Sequence, residues 1–180
     1  MEISTFGFLG TRCFEDEDGV ATRGAVLVTS IDTKPLEFRI TAPVRPKGFQ
    51  VIIYGELLDE HIAVELIGLP LLSALENKPD LILVRDHLLL GISSKQEIPT
   101  IRIMRADEPL MKKGFEIQPL NSPDSSYPPV KAYTSEKFAK NLKIVAEQLQ
   151  VIFLQRDPME PFERIDRACV DVHGRKLGEK

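Results

Sequence analysis

Pro79-Asp80-Leu81-Ile82-Leu83-Val84-Arg85-Asp86 is the stretch whose reading decides the fold. Pro79 stops any helix before it, and Leu81–Val84 is then a continuous apolar run, the pattern of a short strand buried on both faces. The same run delivers an acidic residue, Asp86, at the C-terminal end of the strand. Upstream, the apolar runs Ala25–Ile31 and Leu36–Ile40 are split by the turn Asp32-Thr33-Lys34-Pro35, which marks an antiparallel hairpin. Ile3–Leu9 carries strand spacing and leads to Glu15-Asp16-Glu17-Asp18-Gly19, an acidic turn whose glycine supplies positive φ. Short connections make neighbours of these three strands, giving an antiparallel meander.

Pro43-Val44-Arg45-Pro46 ends the third strand, and an apolar helical block, Phe49–Leu75, follows. Phe49, Ile52, Ile53, Leu57 and Leu58 fall near helical spacing and predict one buried stripe, with Ile52, Leu58 and Leu66 covering the strand at 81–84. A second strand, Pro99–Arg105, lies a crossover's length beyond the first. Ser135–Leu149 predicts a helix with Phe138, Leu142, Val145 and Leu149 on one face, and a last helix starts near Pro161 with Phe162, Ile165, Cys169 and Val172. The fold predicted is α/β (or α+β): a meander, crossover helices, further strands in one mixed sheet, then C-terminal helices. Residues 1–105 read as the mixed-sheet core, 106–130 as a proline-rich loop, and 131–180 as a helical segment packing on that core.

At 180 residues, with 43% hydrophobic and 28% charged content, the chain is large enough to build a core without staples. A net charge of −4 disfavours nucleic-acid binding by overall charge, though not by a local cluster of cations. Cys13 and Cys169 form no ligand pattern, and neither a basic leader nor an unbroken apolar span occurs, so the chain reads as cytoplasmic and without a membrane segment.

Asp86 is the foremost candidate for a metal-holding carboxylate, with Glu37, Glu56 and Asp59 as possible partners, because two-metal chemistry needs several carboxylates at one sheet edge. The competing role for Asp86 is local: a strand-end Asp caps the helical turn that follows. Glu37 alternates with Leu36 and Phe38 and is expected to face solvent. His61 and Glu65, at i and i+4, read as a surface pair. Arg45, Lys47, Arg102 and Arg105 are candidates for an anion-binding rim, the alternative for Arg102 being the solvated face of an edge strand. No Gly-x-Ser-x-Gly, Walker loop or GxGxxG occurs, which leaves serine-hydrolase and phosphate-cradle chemistry without a motif.

The order strand–strand–strand–helix–strand is that of a ribonuclease-H-like core. Within it, Pro79–Asp86 followed by Ile98-Pro99-Thr100-Ile101 resembles endonuclease V, in which a strand ends in a metal-binding Asp and a later strand opens with Pro-Thr. The resemblance implies Mg²⁺ or Mn²⁺ as cofactor and nucleic acid as substrate. The chain departs from it in two places: Ile3–Gly10 contains no Asp, and the family's glycine-rich segment after the aspartate is here His87-Leu88-Leu89-Leu90. The missing Asp favours a non-enzymatic interaction module or assembly subunit, with a protein partner or self-association and no cofactor. The alternative is a divergent metal-dependent nuclease of the ribonuclease-H-like type.

Overall fold

The computed structural model describes residues 2–110 and 114–178, without the side chains of 176–178. Strands β1 (Thr5–Asp16), β2 (Gly19–Ser30) and β3 (Pro35–Ile40) form the antiparallel meander, and Gly19 takes φ 97° at the first turn. β4 (Leu81–Val84) and β5 (Thr100–Arg105) add on the other side of β1, each parallel to its neighbour. β6 (Gln118–Leu120) and β7 (Val130–Thr134) close one mixed seven-stranded sheet in the order β3-β2-β1-β4-β5-β7-β6. The stretch 106–130 thus contributes β6 to the sheet, with residues 111–113 outside the described residues, and the segment from 131 opens inside β7.

Helices cover both faces, as a doubly buried β4 requires. On one face, α4 (Leu142–Phe153) and α5 (Glu160–Gly178) bury Val145, Leu149, Phe162 and Ile165 against Phe6, Phe8, Leu81, Leu83 and Ile101. On the other, a π-helical stretch, Ile62–Gly68, and a 3₁₀ segment, His87–Ser94, bury Ile62, Val64, Ile67, Leu89 and Ile92 against Leu9, Val26, Ile82 and Val84. Gly24 makes this second layer possible: a Cβ there would sit 2.0 Å from Ile67 Cγ2, so only glycine lets the π stretch lie on β2. Among the described residues no helix is long and apolar enough to cross a membrane.

The helical block differs from its predicted stripe. α1 (Gly48–Tyr54) buries none of its residues, and Phe49, Ile52, Ile53 and Leu57 are 60–82% exposed. The covering face is Ile62, Ala63, Val64, Ile67, Leu71 and Leu72 instead, while Leu66 remains exposed. The reason is a loss of helical phase. Gly55 (φ 52°) ends α1, a 3₁₀ turn and the short α2 (Leu58–His61) follow, and the π stretch adds a longer repeat before α3 (Leu69–Ser73). A stripe counted at 3.6 residues from Phe49 therefore does not continue to the core.

Removing the Leu83 side chain to alanine opens a cavity at a fully buried site and is expected to cost about 2–5 kcal/mol in chemical denaturation. Ile52→Ala, at an exposed site in the same apolar vocabulary, is expected to stay within about 0.5 kcal/mol.

Candidate functional site

β1 and β4 run parallel with Leu9 beside Val84, so Gly10–Cys13 and Arg85–Asp86 emerge together where β4 ends. Residues alternate between faces. Arg85 accordingly follows Leu81 and Leu83 toward α5, and Asp86 turns toward the π-helical layer.

Asp86 caps the 3₁₀ segment: its Oδ1 accepts a hydrogen bond of 3.0 Å from Leu88 N–H and lies 3.4 Å from His87 Nδ1. The local role expected of a strand-end Asp is thus real, and Oδ1 alone performs it. Asp86 and Asp59 line one cleft of about 220 Å³, together with Thr11, Cys13, Thr22, Ile62, Ala63 and Leu88. Asp59 comes from α2 and is exposed; Asp86 comes from the strand end and is 36% exposed. Two of the predicted carboxylates therefore line a single cleft.

The other two do not. Glu56 is exposed on the 3₁₀ turn outside that cleft. Glu37 lies three strands from β4 and, contrary to expectation, is covered: its carboxylate accepts N–H bonds from Glu76 and Asn77 and pairs with Arg39 at 2.7 Å. Those N–H donors, first of all Asn77, hold its carboxyl down to about 2. Among the described residues no three His, Cys, Asp or Glu converge as metal ligands.

The four basic candidates are likewise dispersed. Arg45 pairs with Asp16 at 2.5 Å and donates to Gly19 O at the β1–β2 turn, while Lys47 stands exposed at the start of α1. Arg105 chelates both oxygens of Asp157. Arg102 is 6% exposed in an interior strand, donating to Arg85 O and Tyr133 OH, so the edge-strand expectation fails: β7 covers β5. His61 stacks on Tyr54 at 4.3 Å and Glu65 pairs with Lys95, which keeps both in surface contacts.

Cations that sequence reasoning passed over stand at the strand ends. Arg85 lies 3.0 Å from Asp166 of α5, Arg12 lies 4.0 Å from the same carboxylate, and both guanidinium groups remain more than 40% exposed. Arg85 was visible beside Asp86. Arg12 is hidden in the sequence because the strand spacing of Ile3–Leu9 stops seven residues short of the end of β1. Of the cysteines, Cys169 is enclosed and burial pushes its thiol up to about 11, whereas Cys13 is exposed beside Thr22.

No family model matches the sequence, and no curated protein matches it either. Solved structures do match in fold. Endonuclease V of Bacillus subtilis aligns with a TM-score of 0.56 at 15% identity, over 99% of this chain and 84% of that one. Endonuclease V of Streptomyces avermitilis aligns at 0.53 and 14% identity, over 97% and 84%. What is shared at this identity is the fold, and it extends over nearly the whole chain. The expectation of a non-enzymatic module resting on the absent first-strand Asp is corrected by this match, which sides with the nuclease alternative. The expectation of no cofactor falls with it, because it rested on the same module reading.

Glu37, held near 2 against an ordinary 4.5, contributes stability that is fully present above about 4.5 and lost as pH falls through about 2. Wild type and Glu37→Gln should therefore differ in melting temperature near neutral pH and converge as the pH is lowered from 4.5 toward 2.

Proposed function

We propose that the chain is a metal-dependent nuclease built on the endonuclease V fold, with Asp86 and Asp59 as its metal-holding carboxylates. The observation that carries this reading is their meeting in one cleft where parallel β1 and β4 deliver their chains, the edge at which open α/β sheets hold ligands.

The donor set suits Mg²⁺ or Mn²⁺. Mg²⁺ is commonly held by one or two carboxylates, keeping waters and taking substrate phosphate as further ligands, so a third protein carboxylate is not required. The two carboxylates are hard oxygen donors of the kind such cations take, on a wall that also carries Thr11, Thr22 and Cys13. When bound, the cation polarises a phosphoryl oxygen and acidifies a water.

The chain's own residues supply the rest. Asp86 is fixed in orientation by its bond to Leu88 N–H, which leaves Oδ2 available to the cleft. Arg85 and Arg12 present exposed guanidinium groups on the opposite face of the same strand ends. A phosphate backbone passing over that edge would exchange with Asp166 for those cations, and Arg is the residue suited to bidentate phosphate contacts. This gives local nucleic-acid affinity to a chain whose net charge is −4.

The test combines melting curves with cleavage of labelled single- and double-stranded DNA and RNA. At a hundredfold excess over its Kd, Mg²⁺ or Mn²⁺ should stabilise by about 2.7 kcal/mol, roughly 5–10 °C for a chain of this size. Asp86→Asn should fold normally, since Asn caps as well as Asp, yet lose both the metal-dependent rise and cleavage. No shift with either cation together with no cleavage of any substrate would overturn the proposal.

A further inference from the structure

Among the described residues, α1 is the apolar helix whose exposure the fold leaves unexplained. Phe49, Val51, Ile52, Ile53 and Leu57 are 48–82% exposed, and no residue of the helix is buried. Gln50 apart, its side chains from Phe49 to Ile53 are apolar, and so much uncovered apolar surface belongs against another surface. We infer that α1 is the contact through which two copies of this chain associate, packed antiparallel about a twofold axis.

Three observations select a second copy as the occupant. The first is area. These side chains expose on the order of 500–600 Å² of apolar surface, the upper end for a monomer and most of the ~800 Å² each partner buries in a standard interface. The second is the absence of charge from Gly48 to Gly55. In a twofold contact each surface meets its own copy, so charged patches of one sign repel, and an uncharged apolar one does not. In a chain of net charge −4, this is where two copies approach at least electrostatic cost.

The third is the charge at the two ends. Lys47 stands exposed immediately before the helix and Glu56 stands exposed just after it. Antiparallel packing sets Lys47 of one copy beside Glu56 of the other, twice per dimer, ringing the apolar centre with opposite charges. A parallel arrangement would place like charges together. A nucleic acid laid on α1 would find a single cation, Lys47, and so is the poorer occupant.

The oligomeric state of the full chain, read by sedimentation equilibrium in metal-free buffer, tests this separately from the nuclease reading. Wild type should sediment with twice the chain mass at tens of micromolar. Ile52→Glu combined with Ile53→Glu should be monomeric with an unchanged far-ultraviolet circular dichroism spectrum, since both side chains are exposed in the single chain. Lys47→Glu should raise the dissociation constant at least tenfold, and adding Glu56→Lys in the same chain should restore it. A monomeric wild type, a dimeric double-glutamate variant, or charge reversals without effect on the dissociation constant would each overturn the inference.

Discussion

The alternation of side chains along four residues of β4 holds the molecule together. Leu81 and Leu83 enter the core beneath α4 and α5, and Ile82 and Val84 enter the core beneath the π-helical layer. All are inaccessible to solvent, and parallel pairing to β1 on one side and β5 on the other satisfies the backbone of so short a strand. Burying aliphatic side chains of this size is worth about 1.5–3 kcal/mol each, and here they bind two helical layers into one cooperative unit. A one-residue slip would exchange the two cores' side chains and rotate Asp86 out of its cleft.

A second constraint fixes the long β1–β2 arm, which runs past the end of β4. Arg23, 1% exposed, donates from Nε to His173 Nδ1 at 3.0 Å and from Nη1 to Thr41 O at 2.8 Å. The other ring nitrogen, Nε2, then carries the proton and donates to Asp16 at 2.9 Å, and Asp16 pairs with Arg45. Arg45 is the first cause of the Asp16 carboxyl lying at about 2. This chain of side chains ties the hairpin tip, the segment after β3 and the C-terminal helix to one another, and stacking of His173 on Phe14 at 4.1 Å closes it. The strand ends that carry Arg12 and Thr11 are thereby held beside those of β4, a precondition for a site there.

Charge is distributed unevenly around that site. Cations gather on the α5 face of the strand ends, where Asp166 faces both Arg12 and Arg85, while the carboxylates of Asp86 and Asp59 line the opposite cleft. Three carboxylates elsewhere are committed: Glu37 to a loop, Asp16 to the hairpin, and Asp157 to Arg105. Hydrogen bonding and pairing thus occupy Glu37, Asp16 and Asp157, while Asp86, capping through Oδ1, and Asp59 line the cleft. The apolar α1 lies in the same layer as Asp59 but outside the cleft lining, so association and metal binding draw on different residues.

How far the sequence reaches can be judged residue by residue. The meander, the doubly buried strand, the two C-terminal amphipathic helices and the resemblance to endonuclease V were legible, because period-two and period-3.6 patterns record which side of an element meets a core. The same logic marked Asp86, and its capping role, from position alone. It failed at Phe49–Leu57, where the pattern was apolar but Gly55 and the π stretch broke the phase, leaving Ile52 and Ile53 in water, while Leu58 packs on the core as expected. It failed at Glu37, whose neighbours Leu36 and Phe38 are the exposed ones, since the donors that cover it come from residues 76 and 77. The placing of Asp86 and Asp59 on one cleft, the gathering of Arg12 and Arg85 on Asp166, and the scattering of the predicted basic rim depend on contacts between residues far apart in the chain. The sequence by itself determined the elements and their order, because these rest on local pattern; only the tertiary structure decided which charged side chains meet, because that depends on the parallel register of β1 with β4 and on where the helical phase is lost.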